Sequence, residues 1–61
     1  MSFEEWELKG HIEVNLNYLE TKKFNRSVYE TVCGEILEYA SYGRDIAIPC
    51  ERIFRVLKKN R

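Results

Sequence analysis

The sequence predicts a small α+β domain: an N-terminal β-strand or hairpin over about residues 4–18, then two α-helices over about 27–42 and 49–60. Three observations predict it. Between Trp6 and Tyr18 the even positions other than Gly10 are apolar (Trp6, Leu8, Ile12, Val14, Leu16, Tyr18) and the odd positions are polar, the period of a half-buried strand. From Val28 to Ala40, apolar residues recur every four positions, the period of a helix face. Pro49 then opens a segment whose apolar residues, Ile53, Phe54, Val56 and Leu57, oppose Arg52, Arg55, Lys58 and Lys59. A three-helix all-α domain is the alternative. Wound at about 100° per residue, Leu8, Ile12, Leu16 and Leu19 form one stripe, but Trp6, Val14 and Tyr18 fall roughly opposite. Such a helix would be apolar on two sides, so the strand is preferred.

Ser2 and Glu5 have the spacing of a helix capping box, but Trp6 onward follows the strand period. Gly10 marks a bend or a bulge. A three-residue loop, Lys9-Gly10-His11, would set Leu8 opposite Ile12 and Trp6 opposite Val14 on one dry face; otherwise one strand passes through Gly10, with its main part at about 11–18. Residues 19–26 break the alternation and connect. Ser27 and Glu30 form a second capping box, opening a helix with Val28, Val32, Ile36 and Ala40 in line and Tyr29, Cys33 and Leu37 beside them. Gly34 inside that helix costs about 1 kcal/mol relative to Ala, which suggests close packing against another element. Gly43 supplies the left-handed residue that ends it. Arg44–Ile48 reads as extended, and Pro49 suits a first helical turn.

Sixty-one residues make a single domain, 1–61. A chain this short buries only about 60% of its extended surface, and an unpaired strand needs a partner, so a homodimer is expected through Trp6, Ile12, Val14, Leu16 and Tyr18. Net charge is zero but segregated. Residues 1–20 carry five glutamates against Lys9, and residues 49–61 carry five cations against Glu51. No run of about 18 apolar residues exists to span a membrane, and the acidic N-terminus is unlike a signal peptide. The two cysteines, Cys33 and Cys50, could pair in principle, but without a secretion signal reduced thiols are expected. A cytoplasmic protein is expected, and the untagged Met start suggests a complete small gene product.

Catalytic chemistry finds little support. His11 shares the wet face of the predicted strand with Glu13, a pairing used in acid–base catalysis, yet no nucleophile is placed beside it. Cys33 falls in an apolar stripe. Cys50 lies at a helix N-terminus, where a thiolate is favoured. One His and two Cys do not complete a zinc set, and Gly10, Gly34 and Gly43 are too scattered for a phosphate loop. No enzyme activity, metal, cofactor or small-molecule substrate is expected. The basic C-terminal helix is the stronger signal: Arg52, Arg55, Lys58, Lys59 and Arg61 could line a phosphate backbone.

The order strand, helix, helix resembles, in order alone, that of ribbon-helix-helix repressors. That resemblance implies paired strands whose outward residues, here His11, Glu13, Asn15 and Asn17, read the major groove. The function expected is a non-catalytic regulator, acting as a dimer that binds nucleic acid. The alternative is a protein-binding modulator or inhibitor that docks through its sheet edge and its exposed tyrosines.

Overall fold

The computed structural model describes residues 2–61 and is all-helical. Three helices, α1 (Phe3–Thr21), α2 (Arg26–Ser41) and α3 (Ala47–Lys59), are joined by two short connectors. Among the described residues there is no strand, so the α+β fold, the strand or hairpin at 4–18 and the extended segment at 44–48 are corrected to the three-helix alternative. The sheet edge and the strand-paired dimer fall with them, as does the likeness to ribbon-helix-helix repressors.

Helix α1 begins at the capping box. Ser2 is the N-cap, and its hydroxyl accepts the Glu5 amide at 3.2 Å, while Glu4 and Glu5 place negative charge where the helix dipole favours it. A lone strand would leave rows of amides and carbonyls unpaired, and this chain has no second strand to offer. The helix satisfies those groups internally. Leu8, Ile12, Leu16 and Leu19 are its buried residues. The strand-like alternation has a helical origin. Two stripes spaced by four, one through residues 8, 12 and 16 and one through residues 6, 14 and 18, are offset by two positions. An offset of two residues is about 200° of helix, so the stripes lie on opposite sides, yet together they fill the even positions.

The cap of α2 lies two residues before the predicted one. Asn25, not Ser27, accepts the Val28 amide, at 3.1 Å. Val32, Ile36 and Tyr39 are buried against α1. The end of α2 is as expected: Gly43 has φ +81° and its amide donates to the Ala40 carbonyl at 2.9 Å. Gly34 corrects the packing expectation, because it faces solvent and a Cβ there would meet nothing within 4 Å. Helix α3 is capped from one residue further back, by Asp45, whose carboxylate accepts the Ala47 amide at 2.9 Å. Pro49 sits in its first turn, where a missing amide hydrogen is tolerated.

The core consists of Leu8, Ile12, Leu16 and Leu19 from α1, Val32, Ile36 and Tyr39 from α2, and Val56 from α3. Half of it belongs to α1. Both other helices pack on α1, and they barely touch each other. α2 runs antiparallel to α1, and α3 runs alongside α1 in the same direction, from Arg44 near Glu5 to Lys59 near Glu20.

Opposite exposures at two positions that share a parity separate helix from strand. Leu16 is 0% exposed and Val14 is 68% exposed. Leu16→Ala is expected to cost about 2–5 kcal/mol, and Val14→Ala no more than about 0.5 kcal/mol, measured by urea denaturation. Equal losses at both positions would indicate one dry face, as in a strand.

Candidate functional site

The basic row predicted on α3 is not a free row. Arg52 is turned inward, its side chain only 19% exposed. Its Nε and Nη2 donate to the two carboxylate oxygens of Glu20 at 2.9 and 2.7 Å, and Nη1 donates to both oxygens of Glu13 at 2.8 Å. Glu13 and Glu20 are two helical turns apart on α1, so the planar guanidinium spans both, in the fork geometry that arginine offers to carboxylates. Hydrogen bonds from Arg52 hold Glu20 below its ordinary pKa, and the two carboxylates push Arg52 further up. Arg55 pairs along its own helix with Glu51 at 2.6 Å. Lys59 donates to the Glu20 carbonyl at 3.2 Å, near the C-terminus of α1. Lys58 and Arg61 are exposed without an ion-pair partner among the described residues.

At the other end, Arg44 in the second connector reaches back to Glu5 at 2.7 Å and lowers its pKa. His11 faces Glu35 of α2, 3.6 Å away, rather than Glu13, and Asn15 donates to the same Glu35 at 2.7 Å. These contacts form a polar seam between α1 and α2. Cys33 is half-buried and Cys50 exposed, and both thiols are free. No group of three or more His, Cys, Asp or Glu suited to a metal ion occurs among the described residues.

The expected interface residues divide. Ile12 and Leu16 are spent on the core. Trp6, Val14 and Tyr18 are exposed and share the outer face of α1 with Phe3. The rings of Phe3 and Trp6 sit 6.0 Å apart in a tilted pair. Beside Trp6 the bare backbone of Gly10 leaves a shallow hollow bordered by Glu7, Lys9, His11 and Glu13. Of the tyrosines expected to be exposed, Tyr39 is buried, while Tyr18 and Tyr42 remain outside. A second apolar surface lies between α2 and α3, where Leu37, Phe54 and Leu57 stand exposed. Sequence reasoning missed this groove. Its signal was the position of Leu37 beyond the main α2 stripe and of Phe54 beyond the main α3 stripe.

No protein-family model, curated protein or solved structure matches this chain. No helix among the described residues is long and apolar enough to cross a membrane.

The ion pairs make stability pH-dependent. Glu5 and Glu20 titrate lower folded than unfolded, so their stabilisation is complete above the unfolded carboxylate range, about pH 4–5. It is lost as pH falls through the lower folded values. The melting temperature is expected to drop on acidification below about pH 4.5. Arg52→Gln should cost about 1–2 kcal/mol at neutral pH and flatten that acid slope. An unchanged slope in thermal melts of the variant would show that the clamp does not form.

Proposed function

We propose that this chain is a non-catalytic protein-binding module whose docking surface is the outer face of α1. The observation that carries this reading is the solvent-facing stripe of Phe3, Trp6 and Val14, with Trp6 64% exposed beside the hollow at Gly10. A tryptophan held outward on a rigid helix is the residue type that anchors protein interfaces. Gly10 costs helix stability and fills no space within the chain, and its bare backbone lets a partner side chain sit down beside the Trp6 ring. Glu4 and Glu7 edge the stripe without ion-pair partners among the described residues. The surface therefore fits an amphipathic helix that carries an apolar stripe with Lys or Arg at its margin. A cation stacked on the Trp6 face beside Glu7 adds roughly 0.5–2 kcal/mol. A cytoplasmic setting suits the two free thiols.

Trp6 is the sole tryptophan of the chain, so its emission reports docking directly. Titration with synthetic amphipathic helices, one Lys/Arg-edged and one Asp/Glu-edged, is expected to shift and quench Trp6 fluorescence with the basic peptide alone. By calorimetry, Trp6→Ala should weaken that binding by about 2 kcal/mol or more. Equal binding of both peptides, or binding indifferent to Trp6→Ala, would remove this surface as the site.

Nucleic-acid binding is a second reading, and one observation favours it. Lys22, Lys23, Arg26, Lys58 and Arg61 gather at one end of the molecule around Phe24, a basic patch with an aromatic ring within it. The phosphate contacts would then come from this end rather than from Arg52, which Glu13 and Glu20 occupy. Anisotropy of a labelled duplex against salt tests it. Replacing Lys22, Lys23 and Lys58 by Gln should flatten the log–log slope by about 2–3 units, whereas Arg52→Gln should leave it alone. No binding at low salt would end this reading.

A further inference from the structure

We infer that a second copy of this chain covers the groove between α2 and α3, making an antiparallel two-fold dimer with a four-helix interface. It shares with the α1 surface only Glu4 and Glu7, whose charge marks the acidic end of the molecule. In the monomer the groove is lined by Cys33, Leu37, Cys50, Ile53, Phe54 and Leu57. Leu37 is 70% exposed and Phe54 60%. The two helices lean on α1 and barely touch each other, so their facing sides form an open trough. A single added helix would lie along it. A second pair of helices would close it as the layer opposite α1, burying both troughs at once in the geometry of a helix bundle. An isologous contact of this kind also closes, and two-fold dimers are the commonest soluble assembly.

Charge selects the second copy and its direction. The molecule is 35 Å long against 17 and 15 Å across. At one end lie Glu4, Glu7 and Glu38. At the other lie Lys22, Lys23, Lys58 and Arg61. A two-fold axis perpendicular to the helices and lying in the interface sets the acidic end of each copy beside the basic end of the other. A parallel arrangement would set like against like, at a cost. In the antiparallel arrangement α2 faces its own copy. Gly34, on the outward rim of α2 near Leu37, then has a use that the monomer does not give it. With nothing within 4 Å of its missing Cβ, it permits close approach of a second helix.

Sedimentation equilibrium at micromolar to submillimolar concentration should give twice the 7.3 kDa chain mass, with dissociation favoured by added salt. Leu37→Glu and Phe54→Glu should each return it to the chain mass. Both residues are exposed within one chain, so the helical circular dichroism of the monomeric variants should match wild type. A measurement without any substitution runs in parallel. Cys50, exposed in one chain, should react with a thiol reagent about tenfold more slowly above the dimerisation range than below it. A chain mass at every concentration, or Cys50 reactivity that ignores concentration, would overturn the inference. A dimer that survives both substitutions, or one that Trp6→Ala dissolves instead, would overturn it too.

Discussion

Everything in this molecule depends on α1 being the one surface on which the other two helices pack. The constraint follows from size. Sixty-one residues cannot enclose a core on all sides, and the chain places half of its buried side chains on one helix face. α2 answers that face with Val32, Ile36 and Tyr39, whereas α3 offers Val56 as its fully buried residue. The thin apolar contact of α3 is supplemented by polar ones, with Arg52 across Glu13 and Glu20 and Lys59 on the Glu20 carbonyl. α2 is held mainly by burial, which salt and pH change little. α3 is held in good part by charge, which both change. It is therefore the element that opens most easily.

The same constraint explains the surfaces. A helix that serves two neighbours through one stripe has its opposite side left over, and in α1 that side carries Phe3, Trp6 and Val14. Two helices that lean on a third and barely touch each other leave a trough, and it is lined with Leu37, Phe54 and Leu57. Polar side chains would have served solubility at these positions. Large apolar ones, in a protein with so little core, are the ground on which we propose a docking face and a dimer. The charge segregation noted along the sequence becomes spatial by the same topology. The up-and-down path brings Lys22, Lys23 and Arg26 beside the end of α3, and Glu4 and Glu7 beside Glu38.

Much of the fold was legible, and the misreading has a definite origin. The helices at α2 and α3 and the break at Gly43 follow from local chemistry that tertiary packing did not override, although α3 starts at Ala47, two residues before Pro49. The Ser2–Glu5 box also pointed to a helix at the N-terminus. It lost to an alternation that two opposing four-residue stripes imitate, because four is an even number. The ring of Trp6 and the methyls of Val14 looked like partners of Leu8 and Leu16 when they lie on the far side. The Arg52 clamp was hidden by the same error. Glu13 and Glu20 differ in parity, so on a strand they point to opposite faces, and only a helix aligns them. Asn25 and Ser27 are both good caps, and the sequence does not rank them. The burial of Tyr39 depends on where α1 passes, which no local pattern records.

Native-state amide hydrogen exchange, read residue by residue, tests the central place of α1 most directly. The slowest amides should lie within Ile12–Leu19 of α1 and around Val32–Ile36 of α2, with α3 exchanging through a lower-energy opening that acid and salt make easier. If α3 proved as protected as α1 and indifferent to salt, or if the amides at 6–18 showed the alternating protection of an edge strand, α1 would not be the common support of the fold.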